Sequence, residues 1–346
     1  MDRRTFISTA AAAGAAATGA LAADVSSSPP WRRAELATEI DVSAHPGAAQ
    51  TWIPVVQSVG PYQRASAPKI TCTGAAQVVH DPAYGTPIVR ARWAADGPKT
   101  LSVVQTVQTR DRGPVATPLS PAERAAWLKP TDSLPLDGIV HDTAMQIVGA
   151  RTDPKEKLGA IYEWVVDNTF RDPATRGCGL GDIKSLLVSR RLGGKCADIN
   201  SLMTALCRAS GVPARDVYGI RFAPSAYQKC LGSSGDISHA QHCRSEAWIE
   251  GLGWFPVDPA DVRKVVLEAN LPLASPPVQE TRRRLFGSWE MNWVGYNSAT
   301  DLALPGAPRP MAAHFLMYPY GMTATSDFDW LDPSAFDYRI TSKVVA

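Results

Sequence analysis

Apolar and polar residues alternate with a period of two in the first third of the chain. Leu36, Ile40 and Val42 alternate with Glu35, Glu39 and Asp41. Val89, Ala91 and Trp93 alternate with Arg90 and Arg92, and Leu101, Val103 and Val107 line one face of a further segment. His45-Pro46-Gly47, Asp81-Pro82 and Asp96-Gly97-Pro98 supply turns between them. Period-two patterning with turns at this spacing predicts an antiparallel sheet or sandwich. We assign residues 33–118 to this β-rich N-terminal domain, which carries no cluster of catalytic residue types.

The period then changes. A Pro-punctuated stretch from Pro114 to Pro135 leads into helical spacing. Asp153-Pro154-Lys155-Glu156 places an N-cap Asp, a Pro at N1 and a Glu at N3. Leu158, Ile161, Tyr162 and Val165 follow at helical intervals, which predicts a helix over 153–169 with one apolar face turned inward. Cys196 to Ser210 repeats the pattern, with Ile199, Leu202, Met203 and Leu206 on one side and Gly211 as the stop. Strand-like segments follow at 216–222, 244–249 and 254–257. Helices followed by antiparallel strands predict an α+β core over residues 119–270. Residues 271–346 read as a β-containing C-terminal extension, with strands expected at Trp289–Tyr296 and Tyr338–Val345. No internal repeat is present.

The first residues follow a different logic. Arg3-Arg4-Thr5-Phe6-Ile7 precedes a weakly hydrophobic Ala/Gly run, and Ala20-Leu21-Ala22-Ala23 offers a small-residue cleavage site. This predicts a twin-arginine export signal over 1–23, followed by a linker over 24–32. The expected partner is the twin-arginine export machinery and the expected destination a periplasm or the cell exterior. No other long apolar segment occurs, so no stable membrane insertion of the mature chain is expected. Over 346 residues the net charge is only +2, which gives no electrostatic case for nucleic acid. Apolar residues make up 45% of the chain and charged residues 20%, a balance that supports a packed core.

Three residues stand out chemically. Cys196 sits in Gly193-Gly194-Lys195-Cys196, at the mouth of the second predicted helix. His242 opens a strand-like run, and Asp258 closes Gly253-Trp254-Phe255-Pro256-Val257-Asp258-Pro259. In order they spell a thiol nucleophile, a base and an orienting carboxylate. A free thiol titrates near pH ~8.5 and attacks only as thiolate. A helix N-terminus favours the thiolate and offers the Cys196 N–H to an oxyanion. The two glycines are expected to allow a tight turn and close approach of a substrate. Trp164 and Gln241 are the candidates for a second oxyanion donor. His239 competes with His242 for the role of base, although a surface-loop position suits it better. Asp258 before Pro259, and Asp261 after it, are also ordinary turn residues.

Six cysteines occur, at 72, 178, 196, 207, 230 and 243. With Cys196 reserved as a thiol, five remain, so at least one further thiol is left over from any internal pairing. His239, His242, Cys243 and Asp258 include metal-ligand types, but neither a C-x-x-C pair nor H-E-x-x-H appears. No metal and no cofactor is expected.

On these residues the chain resembles the transglutaminase-like superfamily, the transglutaminase/protease-like cysteine enzymes. The family pattern of Gly-x-Cys at a helix start is matched by Gly194-Lys195-Cys196. Its helix-ending Gly-[Ile/Val]-Pro-Ala-Arg is matched by Gly211-Val212-Pro213-Ala214-Arg215. A His-bearing strand and Gly253-Trp254-x-x-x-Asp258-Pro259 complete the match. Many members read His-Ala-Trp-x-Glu, whereas this chain has Glu246-Ala247-Trp248. The family His usually lies sixteen residues before the Asp. That spacing selects His242, and Glu246 then matches the family's Glu four residues on.

The resemblance is strongest over about 150–265. It implies a papain-like α+β core with a Cys196–His242–Asp258 triad, preceded by a β domain as in many bacterial members. It also implies a thioester acyl-enzyme formed on a peptide or protein substrate, as in a cysteine peptidase or amidase. A protein-glutamine acyltransferase of the cell envelope shares that intermediate. A silent binding module on the same fold is the third reading.

Overall fold

The computed structural model describes residues 30–311 and 314–345. The expected export signal at 1–23 and most of the linker lie outside the described residues. The first strands are β1 (Arg32–Asp41), β2 (Ala49–Pro54), β3 (Gln63–Ala65), β4 (Lys69–Cys72), β5 (Ala75–His80), β6 (Pro87–Trp93) and β7 (Thr100–Thr109). Their alternation is realised in space: Ala34, Leu36 and Ile40 of β1 are buried, as are Val89, Ala91 and Trp93 of β6. Strands β1, β3, β4 and β7 belong to one antiparallel sheet, and β2, β5 and β6 to another. The inward residues of both sheets meet in one apolar core.

Helices α1 (Pro121–Ala126), α2 (Ile139–Val148) and α3 (Pro154–Asn168) follow. The N-cap of α3 forms as the sequence predicts, with the Glu156 N–H donating to Asp153 Oδ1 at 2.9 Å. Next come β8 (Phe170–Arg171), α4 (Ile183–Ser189), β9 (Gly193–Gly194) and α5 (Cys196–Ala209). The sequence assigns α5 one apolar face. In the structure α5 is instead a central helix, buried at every position from Cys196 to Arg208 except Asp198. Its polar members are absorbed by buried partners: Ser201 and Thr204 both donate to the Asp216 carboxylate, at 2.8 and 2.7 Å. A buried polar face of this kind reads in sequence as a solvent face.

The helix packs on a sheet made of β10 (Ala214–Arg221), β12 (Gln241–Ile249), β13 (Gly253–Val257) and, later, β14 (Trp293–Asn297), in the order β13-β12-β10-β14, all antiparallel. A short β11 (Gly235–Asp236) precedes β12, and α6 (Pro259–Glu268) and α7 (Pro276–Arg284) follow β13. The chain is therefore α+β, with the helix that bears Cys196 laid on an antiparallel sheet.

The last segments return to the first ones. After β14 come β15 (Tyr320–Met322), α8 (Pro333–Phe336) and β16 (Tyr338–Val345). β15 pairs with β2. β16 pairs with β1 along its length and with β11 on its other edge. This pairing brings Glu39, Asp337 and Arg339 beside Asp236, on the rim of the cleft described next. Glu246 of β12 ties the core to the segment after β7, because it is buried between Arg112 and Arg215. Burial alone would raise its pKa, but the two guanidinium groups hold the carboxyl below its ordinary range.

Candidate active site

The start of α5 is built from its own close contacts. A Cβ on Gly193 would collide with the Phe170 ring, and one on Gly194 with the Asp198 carboxylate. Neither glycine has positive φ. Neither position is a left-handed turn; the glycines make room for neighbouring side chains of the chain itself. Asp198 then accepts from the N–H groups of Lys195 (2.9 Å), Gly181 (2.9 Å) and Leu180 (3.1 Å). This pins the helix start against the preceding loop. Ala197 N–H donates to Cys178 O at 2.9 Å. The Cys196 N–H has no acceptor among the described residues.

His242 and Asp258 reach Cys196 from two further elements. β12 is the second strand of its sheet, and Trp293 Nε1 donates to the His242 carbonyl at 2.8 Å, fixing its backbone. Asp258 is the N-cap of α6, with Pro259 in the first turn. Asp258 makes two contacts at once. Its Oδ1 caps the helix, accepting from Asp261 N–H at 3.1 Å, and its Oδ2 meets His242 Nε2 at 2.7 Å. Asn200 adds a donor to Oδ1 at 3.2 Å, while also donating to Cys243 O at 2.8 Å. With Nε2 taken by Asp258, Nδ1 is the ring nitrogen left for Cys196, whose thiol the imidazole lowers.

The electrostatics favour a charged pair. Burial and Arg221 both work against a protonated His242. Asp261 and Asp258 outweigh them, and the imidazole is pushed up to about 9. Burial likewise opposes a thiolate at Cys196. Hydrogen bonds from Cys178, Cys243 and His242, together with the imidazole's charge, bring the thiol well below its usual range. Asp258 itself is raised, first by burial and then by Asp261, whereas Asp261 is held low by Arg221 and His242 against its burial.

Several of these partners are absent from the sequence reading. Asp261 stands 3.4 Å from His242 Nε2 and pairs with Arg221. Arg244 stands 3.4 Å from Asp258 Oδ2. The Asp-Pro-Ala-Asp spacing was the one signal for Asp261, since N-cap and N3 positions lie on one turn. Arg221 and Arg244 carry no comparable signal, because adjacent antiparallel strands join them only in the fold. Cys178 is the other addition. It donates its S–H to Gln241 O at 3.2 Å and acts on the neighbouring Cys196 thiol. All six cysteines are free thiols.

Cys196 and His242 sit on the floor of a polar cleft of about 1020 Å³, at 3% and 1% exposure. His239 is exposed at its mouth, away from the Cys196–Asp258 contacts. Of the two candidate oxyanion donors, Gln241 lines the cleft with both side-chain amide atoms buried and unpartnered. Trp164 lines a different depression, with Gln146 and Arg151.

Among the described residues, His242, Asp258 and Asp261 are the group that could hold a metal ion, with ligand atoms within 4.8 Å of one another. Arg221 and Arg244 already stand against the two carboxylates, so their charge is balanced without a cation.

Residues 141–259 match the sequence model of the Transglutaminase-like superfamily. An uncharacterized protein of Haemophilus influenzae is 36% identical over 290 residues, 78% of this chain and 79% of that one. The chain belongs to the transglutaminase-like superfamily. Its fold is also similar to that of a "putative cysteine protease" from Cytophaga hutchinsonii, with a TM-score of 0.50 and 17% identity over 91% of this chain and 98% of that one. A weaker likeness, with a TM-score of 0.36 and 16% identity, links it to the periplasmic domain of TgpA from Pseudomonas aeruginosa, over 70% of this chain and 91% of that one. Superfamily members are typically cysteine-based enzymes. Among the described residues no helix is long and apolar enough to cross a membrane.

Proposed function

We propose that this chain is a thiol hydrolase of peptide or amide bonds, exported by its Arg3-Arg4 signal and working through Cys196, His242 and Asp258. The observation that carries the reading is the 2.7 Å contact of His242 Nε2 with Asp258, in a cleft lined by both His242 and Cys196. It supports a thiolate–imidazolium pair, the resting form that a cysteine nucleophile needs.

In the proposed cycle the Cys196 thiolate attacks the substrate carbonyl carbon and forms a C–S bond. Charge develops on the carbonyl oxygen, where the Cys196 N–H can donate. The His242 imidazolium gives its proton to the departing amine as the C–N bond breaks, leaving a thioester. Neutral His242 then takes a proton from water, the hydroxide oxygen adds to the thioester carbon, and the thiolate leaves with the acid. Asp258 holds the imidazole orientation throughout. An amine in place of water would give a transamidase by the same steps.

The test incubates the protein, beside its Cys196→Ala variant, with an envelope-protein extract and a labelled primary amine, followed by mass spectrometry. New chain termini or free acids that depend on Cys196 are expected. Amine-tagged glutamines would move the assignment to a transamidase. No Cys196-dependent change would favour a binding module on this fold.

A further inference from the structure

The cleft lining carries charge of both signs. Its acidic members are Glu39 and Asp41 of β1, Asp236 of β11, and Asp332 and Asp337 flanking α8. Most of that charge is engaged: Asp236 pairs with Arg339 at 3.0 Å, Asp41 accepts from Ser43 N–H, and Asp332 caps α8. The lining also carries Arg171 of β8, Lys195 beside the nucleophile, Arg221 of β10 and Lys264 of α6. Among these cations the balance is reversed. Asp261 is matched by Arg221, and the neighbouring Asp172 is taken by Arg191. Arg171 and Lys264 have no ion-pair partner among the described residues. Arg221 keeps its Nε buried without an acceptor at the same place.

Like charges gathered on a partly buried surface repel one another and are poorly hydrated. Lys264 registers this. It is half-buried and lowered to about 8, first by burial and then by Arg221, with Arg171 adding to the effect. Such an arrangement becomes favourable when an anion occupies it. Arg171, Arg221 and Lys264 line the same cleft as Cys196 and His242, and Arg221 pairs with Asp261, which stands 3.4 Å from His242 Nε2.

We propose that Arg171 and Lys264, backed by Arg221, form a substrate subsite that binds a carboxylate beside the bond Cys196 attacks. The subsite rests on the thiol-enzyme reading above and narrows its substrate to an acyl compound with a carboxylate near the scissile bond. An acidic side chain and a free C-terminal carboxylate share this chemistry.

Alkylation of Cys196 tests the subsite without knowledge of the substrate. Iodoacetate and iodoacetamide both form an S–CH2 bond and expel iodide, but only the first brings a carboxylate. The ratio of their rate constants at Cys196, followed by peptide mass spectrometry, is compared among the intact protein and its Lys264→Gln, Arg171→Gln and Lys264→Arg variants. His242 attracts the anion in all four proteins, so differences among them report on the subsite. Each neutralised cation should lower the ratio about threefold to tenfold, and Lys264→Arg should keep it.

Protection from iodoacetamide identifies the carboxylate's source. One arm uses an end-blocked peptide containing glutamate, the other an alanine peptide with a free C-terminal carboxylate. Protection by one of them that weakens in Lys264→Gln supports the subsite and names that source. A ratio that stays constant across the glutamine variants while Cys196 reacts fast overturns the subsite and leaves the enzyme reading intact. Slow alkylation of Cys196, unaltered by His242→Ala, overturns the enzyme reading and the subsite with it.

Discussion

Asp258 and Asp261, on the first turn of α6, face the same nitrogen of His242, at 2.7 and 3.4 Å. Asp258 caps the helix with one oxygen and meets the imidazole with the other, while Asp261 is tied to Arg221. One acid therefore orients the ring and the second adds charge. Two buried carboxylates this close are tolerable because Arg221 and Arg244 flank them.

Exchanging the two acids separately should divide these roles. Asp258→Asn should leave substrate binding nearly intact and lower kcat by about 10²- to 10⁴-fold, through loss of ring orientation. Asp261→Asn should lower kcat far less but destabilise the fold by about 3–5 kcal/mol, because Arg221 is left buried and unpaired. Steady-state kinetics beside urea unfolding checks both. An unchanged kcat in Asp258→Asn would remove Asp258 from the site.

Removing the nucleophile should abolish turnover. Cys196→Ala is expected to keep the fold within about 1 kcal/mol, since it deletes one small side chain from the cleft floor. His242→Ala should also abolish turnover, and His239→Ala should be mild because that ring is exposed. Activity assays with circular dichroism decide this, and a reversed order of the two histidines would reassign the base.

The pH profile of kcat/KM should be bell-shaped. The pair is populated above the Cys196 pKa, which lies well below the thiol's ordinary value, and below the His242 pKa at about 9. Activity should rise on the acid side as the thiolate forms and fall on the alkaline side near pH 9 as the imidazolium is lost. Asp258→Asn should move the alkaline limb toward lower pH. A limb that stays in place would show that Asp258 does not support the imidazolium.

Cys178 should tune the nucleophile without replacing it. Its own thiol is held well above the usual range by burial and by Cys196, so it stays protonated beside the nucleophile. Cys178→Ala should shift the pH dependence of Cys196 alkylation upward. Stopped-flow alkylation with iodoacetamide measures the shift, and no change would mean that the contact leaves the thiolate unaffected.

Glu246 offers a test of architecture away from the chemistry. Glu246→Ala leaves buried Arg112 and partly buried Arg215 without their shared anion. It should destabilise the fold by about 3–5 kcal/mol while leaving kcat of the folded protein within about twofold. Thermal unfolding and active-site titration separate the two effects. A loss of kcat without loss of stability would contradict this structural role.

The sequence by itself determined the local elements and the three candidate residues. Period-two alternation marks β1, β6 and β7, and the Asp-Pro cap marks α3. Glycines before Cys196 mark the helix that carries it. Each of these signals is encoded within a few neighbouring residues, so it survives in one dimension. Tertiary structure alone decided the rest. That α5 is buried on nearly all sides, that Asp261, Arg221 and Arg244 gather around the His242–Asp258 pair, and that Cys178 lies near Cys196 depend on how separate elements pack. So does the placing of Arg171 and Lys264 in the lining of a cleft that β16 helps to form by returning to β1. Periodicity specifies which face of an element is buried. It does not specify which distant face it meets, and charges that converge across strands and helices leave no local pattern to read.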